Sequence, residues 1–223
     1  MRGLAPAPTE IADLEGLTPQ EVLAHAVDEF APRLYVASSF QKEASVVMDM
    51  LLKVDPEARF FTLDTGLLFA ETYETWRRVE ERYGVKVEVY EGLSVEQQAA
   101  EYGDALWARD PDACCGLRKV SPLTQALSTV DAWISGLRRD QSPERAGTRK
   151  LVWDDAHGVW KLNPLADWTE RDVWRYIVEH DLPYHPLHDQ GYSSIGCIHC
   201  TVPGNDRAGR WAGSAKTECG LHA

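Results

Sequence analysis

The sequence has few positive charges and no long apolar run. Its 223 residues include 23 lysine and arginine residues against 35 aspartate and glutamate residues, which gives a formal net charge of −12. A chain this acidic is a poor general binder of nucleic acid. No segment approaches the roughly 18 consecutive apolar residues of a membrane-spanning helix, and the start lacks a basic stretch followed by an apolar one. We therefore expect a cytoplasmic protein that neither crosses a membrane nor is exported.

We do not expect the chain to be disordered, because 44% of its residues are hydrophobic, which is ordinary for a folded protein. Segments that read as short strands alternate with segments that read as helices, and this alternation is typical of βαβ units. Strands are predicted at 33–38, 59–64, 85–90 and 131–135, with a hairpin from 151–153 and 159–162. Helices are predicted at 18–30, 44–53, 71–83 and 169–180. We predict an α/β fold with a mostly parallel, twisted sheet flanked by helices, followed by an irregular segment that carries cysteines.

Five cysteines occur, as two close pairs and one singleton: Cys114, Cys115, Cys197, Cys200 and Cys219. Because nothing indicates secretion, metal binding or redox chemistry is a better explanation for the pairs than disulfides. Four thiolates suit either Zn²⁺ or an iron–sulfur cluster. Adjacent cysteines fit one tetrahedral ion poorly, since neighbouring side chains diverge, whereas they can reach two corners of a larger cluster. The spacing favours the cluster and leaves zinc open.

Cys219 lies near the end of the chain, in the segment Lys216-Thr-Glu-Cys-Gly-Leu-His222. The sequence around it shows no hydrophobic element, so we expect a cysteine that is not part of a core. Lys216 and His222 are candidates to favour the thiolate, which is the reactive form of cysteine. We interpret Cys219 as a nucleophile on a mobile tail.

Three loops follow predicted strands and enter helices, which is where open parallel sheets bind ligands. The first contains Ser38 and Ser39, the second is Leu63-Asp-Thr-Gly66, and the third contains Arg138 and Arg139. Hydroxyl groups and backbone N–H groups at the start of a helix suit an anion. The P-loop pattern G-x-x-x-x-G-K-[ST] is absent. Together the loops indicate a nucleotide or another phosphate-like ligand.

Several of these motifs match one known family. They are Ser38-Ser-Phe-Gln-Lys-Glu-Ala-Ser45, Leu63-Asp-Thr-Gly66, Cys114-Cys-Gly-Leu-Arg-Lys-Val-Ser-Pro-Leu123, Ile134-Ser-Gly-Leu-Arg-Arg-Asp-Gln-Ser142, Asn163-Pro-Leu165 and Glu218-Cys-Gly-Leu-His222. From residue 34 onward the chain resembles the assimilatory adenylyl-sulfate (APS) reductases, within the wider group of phosphoadenylyl-sulfate (PAPS) reductases and PP-loop proteins. The resemblance implies a single PP-loop domain, similar to the adenine nucleotide alpha hydrolases.

The resemblance also implies a reaction, in which activated sulfate is reduced to sulfite and AMP is released during sulfate assimilation and cysteine biosynthesis. Cys219 would attack the sulfate sulfur, and thioredoxin or a glutaredoxin-like dithiol would release sulfite from the resulting thiosulfonate. The four paired cysteines would hold a [4Fe-4S] cluster. The implied substrate-binding residues are Ser38, Ser39, Lys119, Arg138, Arg139, Arg207, Arg210 and His222. A homo-oligomer is possible.

The resemblance suggests three segments, with a helical one at 1–30, a sulfonucleotide-binding domain at 31–195 and a tail with the CxxC motif at 196–223. The first loop departs from the PP-loop pattern S-G-G-x-D-S, which argues against a reaction at the α-phosphate of ATP. The cluster cysteines favour APS, while PAPS or dual specificity stays open. Two further hypotheses compete with the reductase: an ATP-using PP-loop transferase and, in a different class, an iron–sulfur or zinc redox-sensing module.

Overall fold

The computed structural model describes residues 12–222, so the start of the predicted N-terminal helical segment lies outside the described residues. The helices are α1 (Pro19–Phe30), α2 (Lys42–Leu52), α3 (Ala70–Tyr83), α4 (Val95–Tyr102), α5 (Leu106–Arg109), α6 (Pro111–Cys115), α7 (Ser121–Leu127) and α8 (Glu170–Glu179). The strands are β1 (Leu34–Ala37), β2 (Arg59–Asp64), β3 (Val87–Glu91), β4 (Ala132–Ile134), β5 (Leu151–Asp154) and β6 (Val159–Leu162).

The strands form one six-stranded sheet in the order β3-β2-β1-β4-β6-β5. β1 pairs in parallel with β2 and with β4, and β4 pairs in parallel with β6. β5 and β6 form the antiparallel hairpin that the sequence predicts, with Leu151 opposite Leu162. The predicted α/β class and the mostly parallel sheet are therefore confirmed.

The chain divides into two compact units, each made of two stretches of sequence. The first unit, here called unit 1, contains residues up to Phe61 together with Leu127–Tyr184. Unit 2 contains Thr62–Ala126 together with the residues from His185 onward. None of the helices within residues 12–222 is both long and apolar enough to cross a membrane.

Unit 1 is built around helix α2, whose residues from Lys42 to Leu51 are all buried. The charged side chains of a buried helix need partners, because an unpaired buried charge is very costly. Lys42 forms an ion pair of 2.9 Å with Glu170 at the start of α8. Asp49 accepts hydrogen bonds from Lys53 at 2.6 Å and from the Tyr176 hydroxyl at 2.8 Å. These polar contacts fasten α2 to α8 at both of its ends.

The helix starts of unit 1 follow the local signals in the sequence. The Thr18 hydroxyl caps α1, and the Glu21 carboxylate accepts a hydrogen bond from the Thr18 backbone N–H, which completes a capping box with proline in the first turn. Thr169 and Asp172 form the corresponding box at α8. Because these signals act between residues close in sequence, both helix starts could be predicted without knowledge of the fold.

Unit 2 contains structure that the sequence did not reveal. Between 95 and 127 the chain forms four short helices, α4 to α7, and a π-helical turn at Gly116–Val120. Helices of four to eight residues are too short to show a clear apolar period. The segment beyond 185 is irregular, as predicted, and has two short 3₁₀ turns at Pro186–Gln190 and Ile198–Cys200.

Candidate active site

The first cysteine pair lies in the last turn of α6, in unit 2. Asp110 caps this short helix by accepting a hydrogen bond of 2.9 Å from the backbone of Ala113. Cys114 and Cys115 are both buried. The π-helical turn that follows widens the backbone locally, a feature often found at functional sites. It carries Lys119, which follows the cysteines by one helical turn.

The second cysteine pair lies in the irregular part of the same unit. Cys197 is buried, and its sulfur lies 3.3 Å from the Thr65 hydroxyl oxygen. The Cys200 backbone nitrogen donates to the Cys197 carbonyl at 3.0 Å, which closes a tight 3₁₀ turn. Cys200 is the least buried of the five cysteines. The Cys200 carbonyl accepts a hydrogen bond of 3.0 Å from the backbone of Trp211.

The four paired thiols influence one another electrostatically, and none of them forms a disulfide. Burial raises the pKa of Cys200, and the neighbouring Cys197 and Cys114 raise it further. Burial also raises the pKa of Cys115 to about 11, although Lys119 opposes this shift. Within residues 12–222, no three histidine, cysteine or acidic side chains are arranged as ligands of a metal ion. The two pairs nevertheless lie in one neighbourhood, although they are distant in sequence.

Cys219 is buried against Cys115 and Trp211, with Leu221 packed beside them. The expectation that no apolar element surrounds this cysteine is therefore wrong. Trp211, which precedes Cys219 by eight residues, folds over it. Burial raises the pKa of Cys219, but the charge of Lys119 and the backbone N–H of Leu221 lower it, and the net shift is downward. Cys219 therefore loses its proton more readily than an ordinary cysteine.

Lys119 provides the positive charge at the centre of this group. Burial lowers the pKa of its ammonium, but Cys197 and Cys219 raise it, and the net shift is upward. Lys119 thus stays charged, and it favours the thiolate form of Cys219. The lysine that the sequence assigns to the substrate therefore lies beside the cysteine that it assigns to catalysis.

The two predicted arginines of the tail also lie in unit 2. Arg210 is buried and donates to the Ser194 hydroxyl at 3.3 Å and to the Ile195 carbonyl at 3.4 Å. Arg207 forms an ion pair of 3.0 Å with Glu218. Arg210 also contributes to the low pKa of the Cys219 thiol, so it lies within electrostatic reach of the nucleophile. His222, three residues after Cys219, is partly buried.

The first predicted ligand loop follows β1 in unit 1. Ser38 is buried, with its backbone nitrogen bonded to the Phe61 carbonyl at 2.8 Å. Ser39 is exposed, and its hydroxyl accepts a hydrogen bond of 3.4 Å from Gln41. Between them and α2, Phe40 has a φ of 56°, a strained conformation for a bulky residue. The loop thus exposes one of the two predicted hydroxyl groups.

The loop after β4, also in unit 1, contains two arginines that already have acidic partners. Arg138 is buried and forms an ion pair of 3.1 Å with Glu43, as well as one with Asp140. Arg139 pairs with Glu15 and donates to the Thr148 carbonyl at 2.8 Å. Sequence patterns alone could not show the pairings with Glu43 and Glu15, because these two carboxylates come from distant parts of the chain.

Buried donors without an acceptor draw attention to two residues that were not among the predicted site residues, Arg118 and Trp211. Within the described part of the chain, Arg118 Nη2, Arg210 Nε and Trp211 Nε1 are buried and have no hydrogen-bond partner. Arg118 is 2% exposed and reaches Gln98 and the Thr65 carbonyl. A buried donor without a partner costs roughly 1–3 kcal/mol. Together with Gln98 Nε2, these donors lie in the unit that holds the cysteines, where they could donate to an electron-rich group. The only hint in the sequence was that Arg118 and Trp211 adjoin Lys119 and Arg210.

An α/β fold that carries an activated thiol among lysine and arginine side chains is typical of a thiol-dependent enzyme. Residues 33–203 match the model of the phosphoadenosine phosphosulfate reductase domain. The chain belongs to this family, and it is an oxidoreductase. The match ends before Cys219, so the role of the tail depends on the local geometry.

Two curated relatives show how similar the chain is to individual members. It is 51% identical over 208 residues to adenosine 5'-phosphosulfate reductase of Lysinibacillus sphaericus, which covers 91% of this chain and 89% of the relative. It is 50% identical over 217 residues to phosphoadenosine 5'-phosphosulfate reductase of Gloeobacter violaceus, with 94% and 90% covered. Relatives named for either substrate are thus about equally similar.

A solved structure confirms the fold. The phosphoadenylyl-sulfate reductase of Candida auris, crystallised as a phosphate complex, superposes with a TM-score of 0.76 at 35% sequence identity. The superposition covers 85% of this chain and 92% of that chain. The predicted PP-loop architecture is confirmed by this neighbour.

Gly196 leaves the space that the guanidinium of the buried Arg210 occupies. A Cβ atom at Gly196 would lie 2.2 Å from Arg210 Nη2 and 2.6 Å from its Cζ, whereas a Cβ at Gly116 would meet no atom within 4 Å. We expect Gly196→Ala to lower the free energy of unfolding by roughly 1–3 kcal/mol because of overpacking. Gly116→Ala, which also adjoins a cysteine, should have no such effect. Urea unfolding measures both.

The same experiment in an Arg210→Ala background separates this clash from other effects. If the guanidinium is the obstacle, the cost of Gly196→Ala should largely disappear in the double variant. An undiminished cost there would show that Gly196 is required for a different reason.

Proposed function

We propose that this protein reduces adenylyl sulfate to sulfite and AMP, as a step of sulfate assimilation towards cysteine. The observation that carries the proposal is the setting of Cys219, a buried thiol whose pKa is lowered by the charge of Lys119 and by Arg210. Attack on a sulfur that is shielded by oxygens requires a strong, soft nucleophile with cations near the oxygens. Both requirements are met within unit 2.

In the first step, the Cys219 thiolate forms a bond to the sulfate sulfur, and the bond from that sulfur to the phosphate oxygen breaks. AMP leaves with the electron pair, and a thiosulfonate remains on Cys219. Lys119, Arg207 and Arg210 stabilise the negative charge on the sulfate oxygens. Ser38, Ser39, Arg138, Arg139 and His222 remain candidates for contacts to the nucleotide.

In the second step, a dithiol reductant supplies the two electrons. One of its thiolates attacks the Cys219 sulfur and displaces sulfite, and its second thiol then releases Cys219 while the reductant becomes a disulfide. Thioredoxin or a glutaredoxin-like protein has this chemistry. Such donors operate in the cytoplasm, which is where we place this protein.

We further propose that Cys114, Cys115, Cys197 and Cys200 hold a [4Fe-4S] cluster. The fit of these residues rests on three features: four thiols without disulfides, their mutual electrostatic contact, and buried donors without an acceptor in the same unit. A bound cluster supplies a fixed group of negatively charged sulfurs that can accept hydrogen bonds. The charges of Arg118, which is buried, and of Lys119, which is partly buried, would balance it. The reduction itself needs only Cys219 and the external dithiol.

A second candidate is the reduction of phosphoadenylyl sulfate, or of both substrates. It is favoured by the similarity to relatives of both names, at 51% and 50% identity. The two substrates differ by one phosphate group, which a few side chains can accept or exclude. The redox-sensing module and the ATP-using transferase are set aside, because the chain belongs to a family of reductases.

Cys219→Ser is expected to abolish sulfite formation, because an alcohol is a much weaker nucleophile than a thiolate. The measurement is sulfite release from adenylyl sulfate with reduced thioredoxin. Binding of adenylyl sulfate and the visible absorption of the protein should be unchanged, which serves as the control. Turnover by the variant at more than a few per cent of the original rate would remove Cys219 from the mechanism.

Adenylyl sulfate should be the better substrate in a direct competition with phosphoadenylyl sulfate. The physical reason is the pairing of Arg138 and Arg139 with acidic residues, which leaves less positive charge for an additional phosphate. The ratio of the two kcat/KM values is obtained from one reaction mixture with reduced thioredoxin. A ratio in favour of phosphoadenylyl sulfate would support the second candidate instead.

Protein purified without oxygen should be brown and contain about four irons per chain, because four cysteine ligands suit a four-iron cluster. Cys197→Ser should reduce the iron content strongly, whereas Cys219→Ser should leave it unchanged. Iron analysis and the absorption spectrum test this directly. One bound zinc per chain and no visible absorption would contradict the cluster.

A further inference from the structure

The positively charged side chains of the tail gather around one aromatic residue, Trp211. Three positively charged groups lie over its ring, with Arg210 at 4.5 Å, Lys216 at 5.4 Å and Arg207 at 5.7 Å from the centroid. A cation within about 6 Å of an aromatic face is attracted by the ring, and tryptophan attracts most strongly. The sequence suggested none of these contacts.

The backbone holds Trp211 in an unusual conformation. Its φ is 49°, in the left-handed region, which is a costly place for a bulky residue. The Trp211 nitrogen donates to the Cys200 carbonyl at 3.0 Å, and its own carbonyl accepts from Ser214 at 2.9 Å. The residue is 5% exposed and packs against Cys115 and Cys219. A conformation that costs free energy persists where surrounding contacts enforce it, and such positions are concentrated at functional sites.

Three cations this close together repel one another, and their carboxylate partners are unevenly distributed. Arg207 is paired with Glu218, and Lys216 with Asp112. Arg210 has no carboxylate partner within residues 12–222, although it is buried. A carboxylate would hold Arg210 in place but would also neutralise it. An aromatic ring holds the guanidinium without adding a negative charge.

We propose that Trp211 is a positioning residue for the anionic group of the substrate: its ring gathers Arg207, Arg210 and Lys216 beside Cys219, and it holds Arg210, which has no carboxylate partner in the described residues, with its charge available. This inference rests on the proposed function, because it assumes that the anion binds next to Cys219. Trp211 acts through the cations, so its loss should affect substrate affinity more than the chemical step.

The test compares Trp211→Phe and Trp211→Leu in the holoprotein, each combined with Cys219→Ser so that substrate is bound without turnover. Titration calorimetry measures the dissociation constant of adenylyl sulfate. We expect at least a tenfold loss of affinity for Trp211→Leu, and a loss of about threefold for Trp211→Phe, which retains a weaker aromatic face. In the active background, KM should rise more than kcat falls.

Trp107 provides a matched control. Its ring stacks on His199, between the two cysteines of the second pair, with centroids 4.2 Å apart and planes 6° apart. Trp107→Leu removes an indole of the same size from the same unit. It should leave the affinity for adenylyl sulfate within twofold of the parent. Iron content and thermal unfolding of all variants show whether each one folds.

These measurements test the proposed function and the positioning role of Trp211 separately. If Cys219→Ser alone fails to bind adenylyl sulfate, the proposed function is wrong. If it binds and Trp211→Leu binds equally well, the positioning role is overturned. Equal losses for Trp211→Phe and Trp211→Leu would also overturn it, because packing rather than the aromatic face would then be responsible. If Trp211→Leu does not fold, Trp211→Phe decides alone: a loss of affinity of about threefold supports the positioning role, and unchanged affinity overturns it.

Discussion

The electrostatic contact between Lys119 and the thiols of unit 2 is the interaction on which the site depends. An ammonium group withdrawn from water is unstable unless negative charge lies near it, and the pKa of Lys119 is raised by Cys197 and Cys219 although the residue is partly buried. The same contact lowers the pKa of Cys219. Lysine and thiolate therefore stabilise each other, and removal of either would leave an unpaired charge in a buried place. The other cations extend this field, and the aromatic ring of Trp211 keeps them close without cancelling it.

The positions of the two cysteine pairs explain how a site can be assembled from distant parts of a chain. The first pair is fixed by a short capped helix and a π-helical turn, which are local structures. The second pair is fixed by longer-range contacts, among them the bridge between Leu68 and Cys197. Arg118 contacts the Thr65 carbonyl, and the Thr65 hydroxyl contacts the Cys197 sulfur. A continuous chain of contacts thus joins the two pairs even before any bound group is considered.

Much of the fold could be predicted from the sequence, because its signals act over short distances. The capping boxes at Thr18 and Thr169, the β5–β6 hairpin and the parallel strands all follow from neighbouring residues. The burial of Cys219 could not be predicted, since it depends on Trp211 folding back over the tail. The helices between 95 and 127 are too short for their period to be read. For the site, residue types and spacing indicated the thiols and cations, whereas the partners of Arg138 and Arg139 required the fold.

The discontinuous make-up of the two units has a consequence for biosynthesis. Unit 1 has its full sequence once the ribosome has released Tyr184, but unit 2 needs the residues from His185 onward. The first cysteine pair is therefore synthesised long before Cys197, Cys200 and Cys219, its neighbours in the folded unit. Closing so long a loop is a late event in folding. A centre that joins residues 114–115 to residues 197–219 is therefore completed only after most of these residues have been synthesised, and a chain that stops after Tyr184 would have the whole sequence of unit 1 but lack three of the five cysteines.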